Sequence, residues 1–284
     1  MSYSLVLNSS NVVAGSNNNT YRYNFIQGSF NIPENSEISI SSVILPYSFF
    51  NITKAYNNNI LHYFFPLSAG LPNNFTDFTI TFPDGFYTTT DINNFFQSYC
   101  IKNGLYLVNS AGQNVYYAHI SYNPTYYANQ VIVFPVPTSL PAGYSLNTNG
   151  PSFPFPSSIL TPLFNIPSGF GIFLGFSPNY YPYTATALSQ SINSNITPVG
   201  SNVNSILMRC SIVNNRIGIM TDILDAFPIN CMFGSNITYS PSFQQWIKAS
   251  TGRFNNMTIQ FVDQNFNPIM INKNNILIKI LIKK

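Results

Sequence analysis

The chain has 284 residues, room for one large all-β domain or two smaller ones. Hydrophobic residues make up 45% and aromatics 16%, which excludes a disordered solvating chain; charged residues reach only 7%, against about 25% in an ordinary soluble domain. The net charge of +3, with one basic cluster at Lys273, Lys279, Lys283 and Lys284, excludes the basic footprint expected of a sequence-specific nucleic-acid binder.

Forty asparagines and 20 prolines beside 19 tyrosines and 25 phenylalanines form a turn-and-strand vocabulary, poor in helix formers, so an all-β fold is expected. In chain order, the period-2 rule predicts a first strand where Tyr21, Tyr23 and Phe25 alternate with Arg22 and Asn24. A second follows where Ile38 and Ile40 alternate with Ser39 and Ser41, and both should be half-buried. Further strands are expected at 60–65, 78–82, 116–122, 130–134, 206–212, 257–261 and 276–282. That makes about nine in all, punctuated by Asn, Pro and Gly as in a sandwich or barrel. One amphipathic helix is predicted near 91–103, because Ile92, Phe95, Phe96, Tyr99 and Cys100 fall on one stripe. Asp91 or Thr90 is the expected N-cap and Gly104 the stop. A shorter helix is predicted at 240–248, with Pro241 at its first position and Trp246, the only tryptophan, as a core anchor.

From Asn103 through Met208, 106 residues carry no Asp, Glu, Lys or Arg, and 12 of the 20 prolines lie there. Such a surface is either a set of proline-stiffened loops solvated by Asn, Ser and Thr, or it is buried against other subunits or a neutral ligand. Strand patterning weakens toward its middle. The expected division is a main domain of 1–136 plus 204–284, with 137–203 as an inserted loop region or projecting subdomain.

Chemistry is sparse. His62 and His119 have no neighbouring Cys or acid in sequence and read as ordinary strand residues. Of the eight carboxylates, Asp84 reads as a turn residue, Asp91 as a cap and Asp263 as part of a hairpin turn. Asp222 and Asp225 are close enough to help hold a divalent cation, but they lack the ligand density of a calcium loop and are expected to be structural. Cys100, Cys210 and Cys231 have no metal spacing and read as buried small side chains. There is no Gly-x-Ser-x-Gly elbow, and Gly169-Phe170-Gly171 only begins a phosphate-loop pattern. No catalytic, cofactor-binding or metal-binding set emerges, and no enzymatic activity is expected. The first residues lack a signal-peptide pattern and no apolar run reaches the ~20 residues of a membrane span, so cytosolic synthesis is expected.

The run Phe82-Pro83-Asp84-Gly85-Phe86-Tyr87-Thr88-Thr89-Thr90-Asp91-Ile92-Asn93-Asn94-Phe95 resembles a segment of the minor capsid, or penton, proteins of virophages, polinton-like elements and related eukaryotic DNA viruses. Residues 37–52, Phe173-Leu174-Gly175-Phe176, 206–215, Asp222-Ile223-Leu224, 259–263 and the closing strand resemble that family in the same order. The resemblance implies an antiparallel single jelly roll, often with an inserted upper domain. It implies assembly as a homopentamer at the five-fold vertices of an icosahedral shell, beside a major capsid protein, with no catalytic residues and a location in the virion. The terminal lysines would then be solubilisers or would face the capsid interior or an anionic surface.

A second reading is a carbohydrate-binding β-sandwich, a lectin or adhesin, since exposed Tyr and Asn suit sugars. The two readings can coexist as a vertex protein that binds a host glycan. A third, a β-barrel enzyme, would have to work through Asp222, Asp225, His62 and His119.

Overall fold

A computed structural model describes residues 2–67, 75–148, 150–215 and 220–284. The chain divides into two compact units: unit 1 is Met1–Phe49 with Val203–Lys284, and unit 2 is Phe50–Asn202.

Unit 1 is built on eight principal strands: β1 (Ser2–Asn8), β2 (Thr20–Asn24), β3 (Glu37–Pro46), β4 (Ser205–Cys210), β5 (Ile223–Pro228), β6 (Asn236–Tyr239), β7 (Asn256–Asp263) and β8 (Leu277–Lys283). They form two antiparallel sheets, in the orders β1-β8-β3-β6 and β5-β4-β7-β2. Each strand pairs with the one whose number brings the sum to nine: β1 with β8, β2 with β7, β3 with β6, β4 with β5. That is one long hairpin rolled up on itself, the topology of a jelly roll. The single jelly roll expected from the family resemblance is therefore present, and unit 2 enters the chain between β3 and β4.

Alternation explains why these segments are strands. Ile278, Ile280 and Ile282 of β8 are buried, and so are Ile206, Met208 and Cys210 of β4 and Met257, Ile259 and Phe261 of β7, so each sheet turns one face into the core of unit 1. At the end of the roll Phe227 of β5 stacks on Tyr239 of β6, ring centroids 4.7 Å apart. β3 is more buried than expected: Ser39 is 1% exposed, and its hydroxyl donates to Gln244 Oε1 at 2.8 Å.

The predicted helix at 240–248 is absent. Ile247–Lys248 instead pairs with Ile38 and Glu37 of β3, and Phe243 is exposed. Pairing to a sheet satisfies the backbone where so short a helix would leave most of its polar groups without partners. Trp246 is no core anchor; it is half-buried, with the Lys283 ammonium 3.9 Å above its ring.

Unit 2 holds a four-stranded antiparallel sheet in the order 179–181, 163–166, 60–66, 75–81, and two three-stranded sheets. Helix α1 (Thr89–Lys102) packs on the strand Ala118–Asn123. Its N-cap is Thr88 rather than Thr90 or Asp91, because Asp91 stands at the third helical position and reaches back to the Thr88 N–H. Ile92, Phe96 and Cys100 are buried, and Gly104 ends the helix at a φ of +68°.

The core of unit 2 is aromatic: the Tyr63 and Phe96 rings lie 4.9 Å apart, Phe96 and Phe164 5.2 Å, and Phe82 and Phe170 5.1 Å. These contacts also run across residue 137. Leu163–Ile166 pairs with Ile60–Pro66, and Phe153, Phe164 and Phe170 share one core with Tyr63 and Phe82, so 137–203 belongs to the same compact unit as 50–136. Unit 2 ends at Asn202, and Val203 opens the return to unit 1.

The described residues contain 21 strands, against about nine expected, because many span only two to four residues, too few to show a period. Helix α2 (Ser168–Leu174) also went unpredicted, since glycines weaken any helical pattern. Its Gly-Phe-Gly serves close packing: a Cβ on Gly169 would stand 2.2 Å from the Asn57 carbonyl oxygen, and one on Gly171 2.3 Å from that of Phe176.

Candidate functional site

The run that carries the family resemblance is a structural knot within unit 2. Gly85 and Ile52 exchange backbone hydrogen bonds at 2.9 and 3.1 Å, and Asp84 Oδ1 accepts from the Lys54 N–H at 2.8 Å. The buried Asn51 side chain clamps the backbone of Tyr87 and donates to the Gly200 carbonyl at 2.9 Å. The Tyr87 hydroxyl returns to the Pro83 carbonyl at 2.9 Å. Turn, clamp and helix start are thus the work of these residues.

The titratable groups are spread over separate structural pairs. Asp222 Oδ2 takes the Arg209 guanidinium at 2.8 Å, while Asp225 Oδ2 accepts from the Tyr239 hydroxyl at 3.0 Å. Burial, with Asp225 beside it, pushes Tyr239 up to about 12. The two aspartates are therefore engaged with different partners. Asp263 Oδ1 holds the turn by accepting from the Asn265 and Asn267 N–H groups, at 2.8 and 2.9 Å. Glu37 pairs with Lys283 at 3.1 Å, which engages one of the four terminal lysines.

His62 does have an acid beside it: across neighbouring strands its Nδ1 lies 3.0 Å from Asp77 Oδ2, with the Thr79 hydroxyl at 3.2 Å. Fifteen residues separate His62 from Asp77, so only strand pairing reveals the contact. Both the acid and the hydroxyl meet the same ring nitrogen, which is not the relay of a nucleophilic triad. His119 sits apart, its Nδ1 3.5 Å from Gln97 Nε2, and burial lowers its pKa. Burial pushes the Cys100 thiol up, and that of Cys210 up to about 12, as expected of packing cysteines; Cys231 is only half-buried.

Unit 2 carries a cavity of about 530 Å³. The hairpin of Tyr106–Asn109 and Asn114–Tyr116 forms one wall. The other wall comes from His119 and Phe134, whose rings meet edge to face at 5.7 Å, and from the prolines that follow. Its lining holds no Asp, Glu, Lys or Arg. Tyr117 and Tyr144 also line it, and burial together with the nearby Tyr144 raises the Tyr117 pKa. The charge-free composition of 103–208 was the signal for a neutral surface here, but nothing in the sequence joined Asn109 to Phe134.

Among the described residues no helix is long and apolar enough to cross a membrane. No protein-family model matches the chain, and no curated protein matches it. Among solved structures, the chain is similar to the mavirus penton protein, with 10% identity, 100% of this chain and 98% of that chain covered, and a TM-score of 0.46. It is also similar to a chain of the 3.5 Å cryo-EM structure of the Sputnik virophage, with 11% identity, 99% and 96% coverage, and a TM-score of 0.41.

Proposed function

We propose that this chain is a structural protein of an icosahedral viral capsid, a penton that assembles as a homopentamer at the five-fold vertices beside a major capsid protein. It would be synthesised in the host cytoplasm and reside in the virion. The observation that carries the reading is the rolled eight-strand hairpin of unit 1, in a chain whose run from Phe82 to Phe95 resembles the penton family. Jelly rolls serve viral shells and lectins alike, so the surface must favour one of them.

The surface of the charge-free stretch favours assembly. Tyr126, Tyr127, Tyr183 and Leu188 are 68%, 67%, 64% and 77% exposed in unit 2. Apolar and aromatic side chains without charges around them make a poor surface for a free monomer and a good one for a buried contact, where charge is depleted and Tyr and Phe are enriched. A ring closes when one patch meets a different patch on the next copy at a constant rotation. The ionisable side chains with assigned partners serve the fold, and the reading gives the chain no reaction to catalyse.

The mass of the purified full chain in solution, measured by light scattering, tests this. Five times the 31.8 kDa of one chain is the expected value. A Tyr126→Glu, Tyr127→Glu double variant should be smaller while keeping its circular dichroism spectrum. A monomer at high concentration, together with no labelling of virion vertices by antibodies to the chain, would overturn the proposal.

A further inference from the structure

The cavity of unit 2 has a wall chemistry that assembly does not require. From that chemistry we infer that it is a binding site for a neutral sugar. Its volume of about 530 Å³ lies within the range of small-molecule sites. Phe134, 36% exposed, and the half-buried Tyr116 and Tyr144 line it, and aromatic rings are the surfaces on which the C–H face of a pyranose packs.

Carboxamides stand beside the rings, and they are held in place. Asn109 Oδ1 accepts from the Ala111 and Gln113 N–H groups at 3.0 and 2.9 Å, Asn109 Nδ2 donates to Gln113 Oε1 at 3.2 Å, and Asn114 Nδ2 donates to the Tyr116 hydroxyl at 3.2 Å. These bonds leave Gln113 Nε2, Asn114 Oδ1 and the Tyr117 and Tyr144 hydroxyls without partners among the described residues. The unspent set therefore contains donors, an acceptor and groups that act as either, which is what an array of sugar hydroxyls needs.

Other ligands fit less well. A charged ligand finds no opposite charge in the wall, and a purely apolar one would bury the amides without hydrogen bonds. A proline-rich segment could stack on the rings, but it lacks the N–H that Asn114 Oδ1 would accept from. The inference does not depend on the capsid reading, since a site contained in one unit can serve a monomer or a ring.

The full chain, in whatever oligomer it forms, would be titrated with the methyl glycosides of glucose, galactose, mannose, N-acetylglucosamine and N-acetylgalactosamine. Saturation-transfer NMR would follow binding, with methyl glucuronide as the charged control. At least one neutral glycoside should bind saturably and the glucuronide should not. Asn114→Ala, at an exposed side chain, and Tyr144→Phe, which removes only a hydroxyl, should each weaken binding about tenfold with unchanged thermal unfolding. Absence of saturable binding across the neutral panel, unchanged affinity in both variants, or saturable binding of a decaproline peptide in place of every glycoside would each overturn the inference.

Discussion

The Asn51 carboxamide takes both backbone polar groups of Tyr87: its Nδ2 donates to the Tyr87 carbonyl at 2.8 Å, and its Oδ1 accepts from the Tyr87 N–H at 2.8 Å. It imitates one rung of a β-ladder where no strand runs. Because Asn51 is 1% exposed, Asn51→Ala leaves those two groups and the Gly200 carbonyl without this partner, at a cost of roughly 2–4 kcal/mol. Asn51→Asp, nearly the same shape, should cost as much, because a carboxylate donates to neither carbonyl. Urea unfolding checks both, as a lower midpoint at an unchanged slope.

Asp91 and Thr88 supply a pH-dependent contribution. The Thr88 hydroxyl donates to Asp91 Oδ2 at 2.6 Å and the Thr88 N–H at 2.9 Å, and these bonds hold the carboxyl below its ordinary value. A carboxylate depressed in the folded state stabilises fully above its unfolded pKa of about 3.9, and that stability is lost as the pH falls through the folded value. Asp91→Ala should therefore lower stability by about 1 kcal/mol at pH 7, and the difference from the parent should shrink below about pH 4. Thermal melts of both proteins across that window measure it.

The Tyr63 hydroxyl is buried and has no hydrogen-bond partner among the described residues, in the middle of the unit 2 core. Tyr63→Phe keeps the ring contacts with Phe96 and Phe164 and removes a desolvated hydroxyl. Stability should be unchanged or rise by up to about 1 kcal/mol. A loss larger than that in urea unfolding would mean that the hydroxyl is bonded.

Asp222→Asn should cost no more than about 1 kcal/mol, because both side chains of its pair with Arg209 are 30% exposed and solvent screens them. The double variant with Asp225→Asn should keep the mass of the parent assembly. Calcium or magnesium, added to the parent, should leave its melting temperature unchanged; a clear rise would restore the cation site that the separate pairings speak against.

Residues, spacing and composition sufficed for the strands with several alternating positions, such as β7 and β8, and for α1, because each repeats its pattern within a dozen residues. They also showed the poverty of ionisable groups, which needs no coordinates. They did not show which strand pairs with which. β1 and β8 lie at opposite ends of the chain, and the rolled hairpin, the pairing of His62 with Asp77 and the single core joining Phe153 to Tyr63 exist only once distant segments meet. The expected helix at 240–248 shows the same rule from the other side: local spacing favoured a turn of helix, and the open edge of β3 offered the backbone better partners. Local pattern is set by neighbours in sequence, whereas pairing, burial and cavities are set by loop closure and by competition between long-range contacts, and only the tertiary structure decides that competition.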